Sequence, residues 1–414
     1  AKADMKSLVL FFWLQKEEKV SLQCLCPAIL LQTFRSLRSD LFDPMGCWDA
    51  LQVEWIGMKY YGGVFRRIMF DPATYSKTSF TQLFRGIMIG AHHEALTNPK
   101  KTCENIVEEV CGKGNYQGLK GKVIMITGAT NGLGLETTRC LLKYGAHVIF
   151  AIRNKEKAAK VLNELKEKET LTGTATFLNL QLDDLTSVKP CVSEFLKLNL
   201  PLNCLICNAG IMAPPKYAES KQGMESQFAT NIMSHFLLSH LLLPKLKETA
   251  ATQGEARIVM LGSLAGECCW NVDLEKAVPS AADFYSDFGD YTTTKCIDMI
   301  HARSMQRQCT KDKVYVCALH PGIINSGLGK DNPGLTAAFY SSKTLQHCHK
   351  DIPQGAATTM YCALSPQIPE EVSKGEWWFY NCKPQKSIGF AGKCDKDFQD
   401  KLEAKCWKLV QPYA

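Results

Sequence analysis

Residues 119–414 predict an α/β fold, a doubly wound parallel sheet with helices on both faces. Three observations carry this reading. Short apolar runs rich in β-formers alternate with helical stretches from Lys120 onward. The first of these runs leads through a glycine-rich turn into a helix. The composition, 46% apolar and 21% charged over 414 residues, is that of a globular chain able to bury a large core without staples.

The same figures exclude several classes. The net charge of +7 arises from 48 basic and 41 acidic residues, too small an excess to argue for a nucleic-acid partner. The 19 cysteines are odd in number, scattered and mostly inside apolar runs. They read as small buried hydrophobes in a reducing intracellular compartment rather than a disulfide framework. No stretch approaches the roughly 18 apolar residues of a membrane span. The longest candidates are Leu8–Leu14, Leu237–Leu243 and the broken run around Cys24–Leu31. The chain opens on Ala1 rather than Met, which reads as a processed form or a fragment from which any targeting peptide has gone. The address stays open, an organelle such as a plastid or mitochondrion included.

Residues 1–118 read as a mainly helical or irregular extension. Trp48, Leu51, Trp55 and Met58 fall near helical spacing, as do Phe80, Leu83, Phe84, Ile87 and Met88. A third short helix is expected over Glu104–Cys111, followed by a linker from Lys113 to Gly118. The aromatic stripes leave two readings open. They pack on the main domain, or they form an interface for another protein or a peripheral contact with a membrane surface. His92-His93 and His347-Cys348-His349 are not read as metal ligands, because adjacent residues on a regular element point in different directions. No metal is expected.

The α/β pattern then unfolds in order. Val123–Ile126 is a strand, and Thr127-Gly128-Ala129-Thr130-Asn131-Gly132-Leu133-Gly134 is the turn after it. A helix follows through Leu142, then a second strand over His147–Ala151. In this context Gly128 permits a tight turn, and Gly132 and Gly134 let the backbone approach a pyrophosphate. The helix N-terminus offers free N–H groups to the phosphates. The second strand ends in Ile152-Arg153-Asn154, with no acid for a ribose 2′-hydroxyl. The Arg153 guanidinium suits a 2′-phosphate, so NADP(H) is favoured over NAD(H).

A buried strand ends in Asn208-Ala209-Gly210, and Asn231 lies in a helical segment. A further strand from Arg257 ends at Ser263. Tyr291 and Lys295 share a helix, and Pro321-Gly322 follows the strand Val314–Leu319. Cys204 and Cys207, three apart on a strand, face opposite sides and should not close on one metal.

Taken together and in this order, these motifs resemble the short-chain dehydrogenase/reductase family across residues 119–414. The stretches from Leu200 to Met212, Gln227 to Asn231 and Gln354 to Cys362 are most similar to its retinol-dehydrogenase-like members. Those include the WW-domain-containing oxidoreductase and a chloroplast inner-envelope member associated with import. No WW domain is present, since Trp48 and Trp55 are too close together. The resemblance implies a Rossmann-type NADP-binding oxidoreductase domain at 119–414, with hydride transfer between nicotinamide and a carbonyl/alcohol pair. Tyr291 would be the acid/base. A free phenol titrates at about pH 10, and the Lys295 charge one turn away would favour its phenolate. Lys295 would also hold the nicotinamide ribose, Ser263 the substrate oxygen, and Asn231 a relay water. Asn208, Ala209 and Gly210 would floor the adenosine pocket. Pro321, Gly322, Ile323 and Ser326 would contact the nicotinamide end. The family's Asp beside the adenine is matched either by Gln181 or by Asp183, which are expected to share a strand face.

A lipophilic substrate (retinoid-, steroid- or aldehyde-like) is suggested by the apolar segment between Pro333 and Ile352. The alternative is an accessory or structural subunit of a larger organellar or membrane-associated complex, anchored by residues 1–118.

Overall fold

The computed structural model describes residues 101–269, 271–274, 285–324, 327–328 and 349–414. Ser326, the aromatic stripes, His92-His93 and the segment 333–348 lie outside them, so the extension and the accessory-subunit reading go undescribed apart from residues 101–118.

The described chain opens with helix α1 (Cys103–Cys111). Its start is fixed by a reciprocal cap: Thr102 Oγ1 accepts from the Asn105 amide, and Asn105 Oδ1 accepts from the Thr102 amide. Strand β1 (Val123–Thr127), helix α2 (Gly132–Lys143), strand β2 (His147–Ile152), helix α3 (Lys155–Lys168) and strand β3 (Thr174–Asn179) form the first half. Helix α4 (Val188–Lys197) leads to β4 (Cys204–Cys207). A π-helical turn, Phe228–Met233, enters α5 (Ser234–Gln253), and β5 (Ala256–Leu261) follows. One short turn of helix, α6 (Leu264–Glu267), precedes the long α7 (Asp287–Cys309), and β6 (Val314–His320) closes the second half. A two-stranded ribbon pairs β7 (Ile323–Ile324) with β8 (His349–Lys350). Then come α8 (Ile352–Leu364), α9 (Ile368–Ser373), β9 (Trp378–Tyr380), β10 (Lys383–Pro384), α10 (Phe390–Lys393) and α11 (Lys396–Val410).

The main sheet runs β10-β9-β6-β5-β4-β1-β2-β3, and only the β9/β10 pair is antiparallel. The chain winds outward from β1 to β3, then returns to place β4 beside β1 and winds the other way. The carboxyl ends of β1 and β4 therefore flank a topological switch point, where such sheets bind ligands. This is the doubly wound fold expected from the sequence.

Alternate strand residues feed two separate cores. Met125, Ile149, Leu205, Cys207, Ile258 and Val316 face α4, α5, α7 and α11. Ile124, Ile126, Phe150, Cys204, Ile206 and Val259 face α1, α2, α8 and α9. Cys204 and Cys207 thus lie on opposite faces of the sheet, as the strand period requires. Strands β1, β4 and β5 are buried on both faces, which is why they read as unbroken apolar runs.

Cys103, Ile106 and Val107 of α1 belong to the second core, so the packed unit extends upstream of residue 119. Ion pairs fasten α1 to α2. Lys143 reaches Glu104 at 2.5 Å, and Arg139 joins Glu104, Glu136 and Glu169. Burial pushes the Glu104 carboxyl up, but Lys143 and Arg139 outweigh it and the net shift is downward. Cys103, Glu136 and Cys140 bring three potential ligand atoms within 4.8 Å of one another. The Arg139 guanidinium already lies across that trio, 3.3 Å from Cys140 Sγ and 2.9 Å from Glu136 Oε1. Among the described residues, no helix is long and apolar enough to cross a membrane.

Candidate active site

The turn after β1 is built from close approaches. Gly128 has φ +68°, and a Cβ there would lie 3.0 Å from Ala209 Cβ. A Cβ on Gly134 would lie 2.3 Å from the Gly128 carbonyl oxygen and 2.5 Å from Asn208 Nδ2, so no side chain fits. Asn131 is the N-cap residue of α2 but makes no side-chain cap bond, and the first turn carries no acid. The leading N–H groups of α2 are therefore left for an anion. Thr130, Gly132 and Leu133 line the same turn, half-buried.

Thr127 ties this turn to the rest of the site. Its hydroxyl accepts from the amides of Asn208 (2.9 Å) and Ala209 (3.0 Å). It therefore donates to His235 Nε2 at 3.0 Å. The other ring nitrogen, Nδ1, donates to the Asn231 carbonyl at 3.1 Å. Both contacts require the neutral Nδ1–H tautomer. Burial, with the charges of Lys295 and His301, pushes His235 down to about 4, against the opposing pull of the Asn231 hydrogen bond. Asn208 Nδ2 donates to the Thr127 carbonyl at 2.8 Å, pinning the loop at Asn208-Ala209-Gly210 to the glycine turn.

Asn231 is buried in the π-helical turn. Its Oδ1 accepts from the Ile211 amide at 2.9 Å, and its Nδ2 donates to the Ile211 carbonyl and to Thr294 Oγ1. It therefore clamps the 210–211 loop against α7. On α7, Tyr291 and Lys295 are both buried and stand one turn apart. Lys295 Nζ donates to the Leu261 carbonyl at the end of β5 (2.5 Å) and lies 3.4 Å from Asp298 Oδ2. A Cβ on Gly210 would sit 3.2 Å from Asn231 Oδ1 and 4.0 Å from Lys295 Nζ, so Gly210, Asn231 and Lys295 meet at one point.

Ser263 lies just past β5 as the N-cap of α6, its Oγ accepting from the Ala265 amide at 3.1 Å. The next amide, of Leu264, donates to His320 Nδ1 at the end of β6. A Cβ on Gly266 would come within 2.9 Å of the Lys295 backbone, so α6 and α7 touch directly below the site. After β6, Lys350 Nζ reaches the Pro321 carbonyl at 3.4 Å, and its chain packs on Gly322; Ile323 pairs with His349.

On the adenosine side the picture differs from the sequence reading. Gln181 and Asp183 do not share a strand face. β3 ends at Asn179, and both residues lie in the turn that follows, where the Asp184 amide donates to the Gln181 carbonyl. Ser187 holds the Gln181 backbone at 2.9 Å. The buried acid of this turn is Asp184, bonded to Lys221, Thr186 and Gln222. Burial pushes its carboxyl up, but these bonds outweigh burial and hold it well below the carboxylate range. Arg153 is exposed at the end of β2. Asn154 Oδ1 caps α3 through the Lys157 amide at 2.6 Å. Cys268 is buried beside Ser263's turn, and burial pushes its thiol up to about 12. His235 and the role of Thr127 had no local signal; Asp298 had the i+3 spacing from Lys295 that could have drawn notice.

The doubly wound sheet with a glycine turn at its switch point is the fold of dinucleotide-binding oxidoreductases. The short chain dehydrogenase family model matches residues 122–273. Short-chain dehydrogenase TIC 32 A, chloroplastic, of Brassica napus is 38% identical over 290 residues, covering 69% of this chain and 88% of that protein. Human polyprenol dehydrogenase is 30% identical over 293 residues, covering 69% and 83% respectively. The crystal structure of an uncharacterized protein from Mycobacterium paratuberculosis superimposes with a TM-score of 0.52 at 27% identity, covering 71% of this chain and 94% of its own. The chain belongs to the short-chain dehydrogenase/reductase family.

Proposed function

We propose that this chain is an NADP(H)-dependent oxidoreductase of a carbonyl/alcohol pair, with Tyr291 as its acid/base and a lipophilic substrate. The observation that carries the reading is the meeting of Lys295 with Gly210 and Asn231, one helical turn from a buried Tyr291. Bound nicotinamide supplies or accepts the hydride. The protein's residues would do the rest. Tyr291 gives a proton to the nascent alkoxide oxygen, or takes one from the alcohol. Lys295 stands by as a fixed positive charge with one N–H left over. Ser263 Oγ, already accepting from Ala265, still has its own proton to donate to the substrate oxygen. Asn231 keeps the 210–211 loop in register with α7 and anchors a relay water.

Three features fit a dinucleotide: the uncapped first turn of α2, the side-chain-free approach at Gly134, and Arg153 exposed where a 2′-phosphate would lie. Asn208, Ala209, Gly210, Gln181 and Asp183 would border the adenosine side, and Pro321, Gly322 and Ile323 the nicotinamide side; Ser326, given to that side by the sequence resemblance, lies outside the described residues. A lipophilic substrate is supported by the aromatic wall beside the acid/base. The Phe288 ring lies 6.1 Å from that of Tyr291, and Tyr217 meets Tyr285 edge-on at 5.7 Å. The relative named as a polyprenol dehydrogenase points the same way. A plastid is the favoured address, because the Brassica napus relative is named as chloroplastic.

The test is NADPH oxidation, and NADH oxidation in parallel, with a panel of long-chain aldehydes, retinal and steroid ketones. Tyr291→Phe should lower kcat by about 10²–10⁴-fold while the fold is kept. Equal turnover in wild type and variant would remove Tyr291 from its role.

A further inference from the structure

Lys295 has a buried ionic neighbour that an acid/base pair does not require. Its ammonium donates to the Leu261 carbonyl at 2.5 Å and stands 3.4 Å from Asp298 Oδ2. Asp298 is three residues further along α7 and only 4% exposed. An ammonium has three N–H donors. The carbonyl and the carboxylate engage two of them. The third is left for the point where Gly210 and Asn231 meet Nζ.

The surroundings of Asp298 are titratable on every side. On α7 itself, His301 follows one turn on, its Nδ1 2.6 Å from Glu403 Oε1 of α11 and its Nε2 3.3 Å from Ser239 Oγ of α5. His240 of α5 lies 3.7 Å from the other Glu403 oxygen. Cys207 of β4 feels the Asp298 charge, and burial pushes its thiol well up; His235 of α5 feels the charges of Lys295 and His301. Burial pushes the Asp298 carboxyl up, while Lys295 and His301 pull it down; the net direction is upward.

We infer that Asp298 is a positioning residue whose carboxylate holds the Lys295 ammonium against the Leu261 carbonyl and partly offsets its charge, thereby setting the pH range in which Tyr291 passes its proton. This rests on the reading of Tyr291 as acid/base given above. Asp298 and Tyr291 are about 10 Å apart along the helix axis. At an effective dielectric of about 20, one charge at that distance moves a titration by about one pH unit. Removing the carboxylate leaves a stronger positive field, which favours phenolate, so Tyr291 should give up its proton at lower pH.

The experiment is a tyrosinate absorbance titration of the full chain without cofactor or substrate, with the Tyr291 signal isolated by subtracting Tyr291→Phe. Asp298→Asn should move that signal by about one unit to lower pH, and Asp298→Glu should leave it near wild type. The high-pH limb of carbonyl reduction should move with it, and the Asn and wild-type profiles should converge on the acid side, where Asp298 is itself protonated. A role in folding alone would lower the unfolding midpoint and leave the titration in place. No shift in Asp298→Asn, or the same shift in Asp298→Glu, overturns the inference. Should Asp298→Asn not fold, Asp298→Ser is titrated instead; failure of both neutral variants assigns the carboxylate to the fold and overturns the inference as well. A shifted titration with full activity in Tyr291→Phe would sink the acid/base reading and leave the electrostatic link standing.

Discussion

The two faces of the sheet solve different problems with different materials. On the α1/α2/α8 face the parts proposed to meet the dinucleotide are backbone: an uncapped helix start and glycines whose missing side chains leave room. Around α1 and α2 its charges gather at the rim, where Arg139, Lys143, Glu104 and Glu169 stay partly wet, and Arg257, held by the Cys362 carbonyl, is a buried exception. On the α5/α7 face the chemistry-bearing groups are side chains, and they are buried. His235, Asn231, Lys295, Asp298 and His301 all lie within the packed layer. A face that offers backbone tolerates exchange of its polar side chains. A face that buries charges depends on each partner.

That contrast can be broken most sharply at Lys295. Lys295→Met leaves Asp298 buried and unpaired, and should cost about 3–5 kcal/mol in urea unfolding, beyond any loss of turnover. Arg139→Met on the other face should cost clearly less, because its carboxylates keep access to water. Equal losses would erase the distinction between the faces.

Acid comes next. Folded, His235 stays neutral down to about pH 4, whereas its ordinary value is 6.5. Between those values the unfolded chain binds the extra proton, so stability falls as the pH drops from about 6.5 toward 4, by on the order of 3 kcal/mol. His235→Asn should flatten that part of the stability–pH curve relative to wild type. On the opposite face, Glu104 depends on pH in the same direction although its charged form is the favoured one: its folded value is depressed, so its contribution is fully present above the ordinary carboxylate value and is lost as the pH falls from there through the lower folded value.

Gly134→Ala tests the backbone face directly. The new Cβ would meet the Gly128 carbonyl and Asn208, and should cost about 1–3 kcal/mol of stability together with a loss of dinucleotide binding in a fluorescence titration. Unchanged binding would detach the glycine turn from the cofactor. The smallest effect is expected at Arg153, exposed as it is. Arg153→Ala should reduce the preference for NADPH over NADH by about tenfold in KM, worth about 1.4 kcal/mol, with stability unchanged.

Much of the backbone face was readable from the sequence, because its signals are local. A strand buried on both sides is an apolar run, and the glycine turn stands between strand and helix within a dozen residues. That Tyr291 and Lys295 share one helix, a turn apart, was readable for the same reason. What sequence could not supply is contact between distant elements. The Thr127–His235 bond spans 108 residues, and the His301–Glu403 contact 102. The adenosine side misled for a related reason. Strand alternation was carried past Asn179 as far as Asp183, but Asp184 and Ser187 form a turn there that no periodicity announces.

Thr127 has one proton and two lone pairs, and all three are committed. The bonds around it consequently run in a single direction: from the amides of residues 208 and 209 into the hydroxyl, from the hydroxyl into His235, and from His235 into the Asn231 carbonyl. A chain of this kind has a polarity, like a row of arrows, and its ends, two amide N–H groups and a carbonyl, keep it from reversing. A proton added at His235 Nε2 would set two heads facing each other at the foot of the glycine turn. The isosteric Thr127→Val would delete the middle arrow and leave both amides and the imidazole nitrogen without partners. One hydroxyl thus fixes the tautomer of a histidine, the seat of a loop and the alignment of two walls of the site.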